Sequence, residues 1–316
     1  MIADSILDTI GHTPLLRFQK LTRHLPPGVE LYAKAEYFNP GGSVKDRAAL
    51  NMILAGERSG QLTQDKIIMD STSGNTGIAY AMIGAARGYR VRLVMPANVS
   101  RERKLTVENY GAEVVFSDPM QQSDGAILLA RQMLAANPDL YFYPDQYNNP
   151  ANWQAHYHTT GVEIWEQTGG KVDAFVSTLG TGGTFAGVSA ALKKRNPYVK
   201  CYAVEPAGAA FLSRGKVTNP AHKIQGAGYA MPLPLFRPEH CDGFLTVTDA
   251  AAIRAARRLA AREGIFAGFS SGANVAAALR VARQLPPGAV VVTTINDSGL
   301  KYLSTDLFPD EVSEDD

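Results

Sequence analysis

Short β-rich runs alternate with longer helical stretches along the first half of the chain: residues 66–69 then 78–87, 91–95 then 101–110, and 114–116 then 126–136. Strands separated by helices of that length pair in parallel, because only a crossover returns the chain to the same edge direction. The alternation therefore predicts an α/β fold with doubly wound sheets, helices on both faces and right-handed crossovers. After Asn148-Asn149-Pro150 the pattern restarts, with a helix over 152–167, a strand at 174–177, a helix ending at Arg195 and a strand at 201–205; helices return over 249–263 and 273–284. A chain of 316 residues exceeds one typical core, so the restart predicts two lobes, residues 1–149 and 150–310, followed by an acidic tail at 311–316. The Gly- and Pro-rich stretch 208–243 lacks periodicity and reads as a long functional loop region.

The charges balance at 31 basic and 30 acidic residues, which gives no global field for nucleic acid or an anionic membrane surface. Small molecules are the expected partners. Met1-Ile2-Ala3-Asp4-Ser5 lacks the positive start of a signal peptide, and no apolar run approaches the roughly 20 residues of a membrane span, so a cytoplasmic location is expected. Cys201 and Cys241 are too few for a disulfide framework or a thiolate metal site, and Cys201, opening an apolar run, reads as a buried inert thiol. His156 and His158 stand two apart in a helical pattern, on different faces, which argues for structural roles and against a metal site.

Four glycine-rich segments carry the candidate chemistry. Gly180-Thr181-Gly182-Gly183-Thr184 follows the apolar run 174–176 and precedes a helical pattern, an arrangement whose converging N–H groups and helix dipole bind an anion without a basic side chain. Phe185 stands where a dinucleotide fingerprint would need glycine, and no GxxxxGK[ST] segment exists, so a phosphate monoester suits this turn better than a nucleotide. Thr72-Ser73-Gly74-Asn75-Thr76 repeats the architecture after the strand at 66–69. Two anion cradles suit one phosphate and one carboxylate. Lys45 lies in a third turn, Asn39-Pro40-Gly41-Gly42-Ser43-Val44-Lys45-Asp46-Arg47, and Gly268-Phe269-Ser270-Ser271-Gly272 leads into an Ala-rich helix.

Together these blocks resemble the fold-type II pyridoxal-phosphate enzymes, whose lobes are tryptophan synthase β-like, and specifically the cysteine synthase and cystathionine β-synthase family. The likeness runs from Ile10-Gly11-His12-Thr13-Pro14 through His222-Lys223-Ile224-Gln225-Gly226 to Lys301-Tyr302-Leu303-Ser304-Thr305. The resemblance implies pyridoxal 5′-phosphate held between the lobes, with Lys45 as Schiff-base lysine and α-proton base, Gly180, Thr181, Gly182, Gly183 and Thr184 as the phosphate cup, and Asn75 on the ring oxygen. Thr72, Ser73, Thr76 and Gln146 match the ligands of the substrate α-carboxylate. Ser270 matches the serine at the pyridine nitrogen, although as residues Ser270 and Ser271 could equally be helix caps. A neutral hydroxyl there leaves the ring a weaker electron sink, which favours rapid loss of a β-leaving group over transamination.

The implied reaction is β-replacement on an O-activated L-serine, most simply O-acetyl-L-serine with sulfide giving L-cysteine. O-phosphoserine or serine with homocysteine or an amine, giving a cystathionine or diaminopropionate-type product, is the alternative; a non-catalytic scaffold is the second. A serine or threonine dehydratase fits less well, because those enzymes carry Ser-Phe-Lys followed by Arg-Gly and here Asp46-Arg47-Ala48 follows Lys45. The resemblance further implies a homodimer and docking of a serine acetyltransferase C-terminal peptide. Three places depart from the commonest cysteine synthase pattern: Asp70, the segment Asn296-Asp297-Ser298-Gly299-Leu300-Lys301, and Tyr229-Ala230-Met231. Arg214 and Lys216 are candidates for a phosphate leaving group, weighed against an ordinary role as solvated surface cations.

Overall fold

A computed structural model describes residues 2–72, 74–118, 120, 122–229 and 231–308. Ser73, Ala230 and the acidic tail at 311–316 lie outside the described residues. Two sheets carry the fold. The smaller is wholly parallel, in the order β5 (Glu113–Ser117), β4 (Arg90–Pro96), β3 (Ile67–Ser71), β6 (Tyr141–Phe142). The larger runs β1 (Leu15–Arg17), β2 (Glu30–Ala35), β10 (Val290–Ile295), β7 (Ala174–Thr178), β8 (Lys200–Pro206), β9 (Gly243–Val247), with β1 antiparallel and every other neighbour parallel. Central strands such as Val-Val-Val-Thr-Thr-Ile at 290–295 are buried along their whole length, as β-branched runs covered on both faces should be.

The larger sheet draws strands from both ends of the chain. β2 pairs with β10 from Glu30↔Val290 to Ala35↔Ile295, so the first strands belong to the sheet of the C-terminal half. Its sequence, Glu-Leu-Tyr-Ala-Lys-Ala, hides this, because buried Lys34 breaks the apolar pattern. The expected helix over 152–167 is two helices, α5 (Pro150–His158) and α6 (Thr160–Gln167), parted at Thr159 with φ −122° and ψ −76°. The Thr159 hydroxyl donates to Ala155 O at 2.7 Å, a side-chain bond that bends helices where it forms. Likewise α9 (Asp249–Arg258) passes into a π turn, Leu259–Glu263, before Gly264 ends it.

Each glycine-rich segment opens a helix at a strand's carboxyl edge or beside it: α1 (Lys45–Arg58), α2 (Asn75–Arg87), α7 (Gly183–Arg195) and α10 (Phe269–Ala282). α1 is fixed by a buried ionic network. Two residues beyond Lys45, Arg47 bonds Glu36 through Nε at 2.7 Å and Nη2 at 2.8 Å, and Glu163 of α6 through Nη1 at 2.6 Å and Nη2 at 2.8 Å. Lys34 reaches the same Glu163 at 2.6 Å. Burial alone would push the Glu163 carboxyl up, but Arg47 and Lys34 more than reverse this and hold it near 2.

Candidate active site

The turn before α1 presents Lys45 to a cavity of about 480 Å³ between the sheets. Gly41 N–H donates to Asp46 Oδ2 at 2.6 Å, and a Cβ at position 41 would lie 2.6 Å from Asp46 Oδ1, so glycine is required where the turn folds over the helix start. Burial pushes the Asp46 carboxyl up to about 7 against the opposing pull of Lys301. The Lys45 amine is half-buried and its pKa lies below the ordinary lysine value, chiefly through desolvation, with nearby Asp297 acting the other way. Desolvation makes more of the neutral, nucleophilic amine available.

Lys45 Nζ faces the turn between β7 and α7. A Cβ at Gly180 would stand 3.8 Å from Nζ and only 2.5 Å from Gly226 O. Gly182 takes φ 87° at the cap of α7, a left-handed conformation that frees the following N–H groups to converge. A Cβ at Gly183 would collide with Asn152 Oδ1 at 2.0 Å. Asn152 Nδ2 in turn donates to Thr181 Oγ1 at 3.0 Å and to Gln146 O at 2.7 Å, tying this turn to the second loop. Thr184 Oγ1 lies 3.3 Å from His156 Nε2, while Thr160 Oγ1 lies 2.9 Å from Nδ1. Burial lowers the His156 pKa to about 3, so a neutral imidazole backs the turn. The sequence had offered His156 no such neighbour, because the contact joins two helices.

The second loop is held from within. Thr72 Oγ1 accepts from Gly77 N–H at 3.2 Å and Gly74 N–H at 3.3 Å. The Thr76 hydroxyl donates to Gln146 Oε1 at 2.9 Å, and Gln146 Nε2 donates to Ser71 O at 3.2 Å. Thr72, Thr76 and Gln146 therefore meet on one wall; Ser73 lies outside the described residues. Asn75 is clamped by the segment that departs from the commonest pattern. Its Nδ2 donates to Asp297 Oδ2 at 2.7 Å and its Oδ1 accepts from Lys301 Nζ at 2.8 Å. Tyr302 OH donates to the same Asp297 oxygen at 2.6 Å. Behind the loop, Tyr80 OH donates to buried Asp70 at 3.0 Å, and burial lifts that carboxyl to about 7.

The two serines at the start of α10 separate clearly. Ser270 lines the cavity, its Oγ accepting from Asn296 Nδ2 at 3.1 Å, which leaves its own proton to donate. Ser271 is fully buried and its Oγ accepts from Asn296 N–H at 2.9 Å. Arg214 and Lys216 are exposed and line no part of the cavity. Gln225 and Tyr229 do line it, and so do Arg103 and Asn98, which no sequence motif announced. Among the described residues no cluster of His, Cys, Asp or Glu could hold a metal, and no helix is long and apolar enough to cross a membrane. Cys201 is buried, and burial pushes its thiol up to about 12.

The lining fits a pyridoxal phosphate: a glycine turn that any Cβ would fill, an amine beside its first glycine, a hydroxyl with a free proton, and no carboxylate among the described lining residues to repel a phosphate. Residues 6–297 match the family model described as pyridoxal-phosphate dependent enzyme. A cysteine synthase from Aquifex aeolicus is 44% identical over 315 residues, covering 98% of this chain and 93% of its own. The crystal structure of O-ureido-L-serine synthase superposes with a TM-score of 0.93 at 42% identity, covering 100% of this chain and 98% of its own. O-acetylserine sulfhydrylase isoform 3 from Entamoeba histolytica gives a TM-score of 0.94 at 39% identity, covering 99% and 93%.

Proposed function

The chain belongs to the pyridoxal-phosphate-dependent enzymes, in the company of cysteine synthases, and from that premise we propose that it performs β-replacement on O-acetyl-L-serine with sulfide, giving L-cysteine and acetate. The observation that carries the reading is the placement of a desolvated Lys45 amine against a glycine anion turn, with a second anion loop and a neutral hydroxyl on the same cavity. In this reading the cup from Gly180 to Thr184 would hold the phosphate through backbone N–H groups, Asn75 would hold the ring oxygen, and Ser270 would stand at the pyridine nitrogen. When bound, the cofactor supplies the electron sink that acidifies the substrate α-proton.

Everything else is work for the chain. The N–H groups of the 72–76 loop and the Gln146 amide bind the substrate carboxylate, with Thr72 and Gln146 themselves pre-set by the bonds within the loop. Lys45 Nζ would take up the substrate α-proton as acetate leaves the β-carbon and would return it to the α-carbon once hydrosulfide has added at the β-carbon. The helices of the smaller sheet carry the carboxylate loop, so their approach to the larger sheet would shield the site from water. The division into lobes near Pro150, a homodimer and docking of a serine acetyltransferase C-terminal peptide are parts of the same proposal.

A second reading keeps the chemistry and changes the reactants: another leaving group, O-phosphoserine or serine, or another nucleophile such as homocysteine or an amine. The likeness to O-ureido-L-serine synthase and the unusual clamp of Asp297 and Lys301 on Asn75 favour testing it. Steady-state assays of purified holoenzyme with each ester and each nucleophile, read by mass spectrometry of the product, separate the two. Cysteine from O-acetylserine and sulfide at the highest kcat/KM supports the first reading. A different best pair establishes the second, and no turnover with any pair leaves only a non-catalytic scaffold.

A further inference from the structure

The cavity described above accounts for two anions, a phosphate and an α-carboxylate, yet its wall holds a cation that neither requires. Arg103 of α3 (Arg101–Asn109) is 6% exposed and lines the cavity. Its Nη1 donates to Gln225 Oε1 at 2.7 Å and its guanidinium lies 5.0 Å from the centre of the Tyr302 ring. Nε is buried with no hydrogen-bond partner. Among the described residues no carboxylate pairs with it and no Asp or Glu lines the cavity. A buried guanidinium without a counter-charge is costly, whereas one that closes on an anion gains short charge-assisted bonds.

Its position says which anion. A Cβ at Gly74, in the carboxylate loop, would stand 3.5 Å from Arg103 Nε, so the guanidinium borders the substrate's seat. Gln225, its partner on the other side, is exposed. Arg103 thus stands between exposed Gln225 and the Gly74 turn that would seat the amino acid. Resting on the functional reading given above, we propose that Arg103 is a specificity-determining residue that recognises an anionic sulfur nucleophile: hydrosulfide, or a thiol carrying its own carboxylate. The competing role is mechanical, a latch between the smaller sheet's helices and the loop at Gln225.

Paired thiols separate the two. In holoenzyme charged with O-acetyl-L-serine, Arg103→Gln should lower kcat/KM for 3-mercaptopropionate by about 10- to 100-fold, the scale of a lost hydrogen bond to a charged group, and leave 2-mercaptoethanol within about threefold. Arg103→Lys, which keeps the charge, should recover most of the loss with the anionic thiol. Acetate release in a single turnover without nucleophile should stay as in the parent enzyme. Equal losses with both thiols, no loss with either, or slowed acetate release would overturn the assignment and leave the latch. Melting curves of both variants check that they fold. An unsubstituted enzyme that releases no acetate from O-acetylserine fails the functional reading itself, an outcome distinct from any behaviour of Arg103.

Discussion

Glu163→Gln removes the charge on which two buried cations depend. Arg47 and Lys34, with side chains 2% and 0% exposed, both bond the Glu163 carboxylate, which also accepts His12 N–H at 3.0 Å. Glu36 remains for Arg47, but Lys34 keeps only neutral acceptors, Thr13 O and Gln167 Oε1 at 2.8 Å. Breaking a buried pair by removing one partner costs about 3–5 kcal/mol. An unfolding entropy of about 2.1 cal/mol/K per residue turns this into a melting temperature lower by about 5–8 °C for 316 residues. The pH dependence supplies a second reading. The Glu163 carboxyl is held near 2 in the fold, against an ordinary value of 4.5, so its stabilisation is complete above about pH 4.5 and is lost as pH falls towards 2. Scanning calorimetry of parent and variant from pH 7 downwards should therefore show the two melting temperatures converging through that window. A gap under 1 °C at pH 7, or one that does not shrink on acidification, would refute the reasoning.

Lys45→Ala should leave the fold intact, lower turnover by at least about 1000-fold and abolish the borohydride-fixed cofactor adduct detected by mass spectrometry. Gly183→Ala puts a methyl 2.0 Å from Asn152 Oδ1, and equilibrium dialysis should show cofactor affinity reduced by at least about tenfold. Asp70 titrates near 7 in the fold instead of near 3.8, so its burial penalises the fold increasingly as pH rises from about 4 through 7. Asp70→Asn should accordingly gain stability relative to the parent at pH 8, with the difference fading by pH 4, as read by urea unfolding at the two values.

The turns that open α1, α2 and α7 were legible because each is a local device, its glycines and helix start acting within a few residues. The alternation of strands and helices was legible for the same reason, since periodicity is local. The ends of elements were less so. Thr159 splits a helix that the apolar pattern runs together, through one hydroxyl bonded to Ala155 O.

What the sequence alone determined, then, was the class of fold, the cofactor family and the glycine-rich turns that open the helices. Tertiary structure decided which serine faces the cavity, since Ser270 and Ser271 are told apart only by Asn296, 26 and 25 residues away. It decided that β2 joins β10 across the whole chain, and that Arg47 finds Glu163 at a separation of 116 residues. It also made Asp297 and Lys301 the clamp on Asn75, and left Arg103 Nε without a hydrogen-bond partner beside Gly74. Such contacts depend on where strands and helices stack, and a pairing between distant segments leaves no periodic trace in either one.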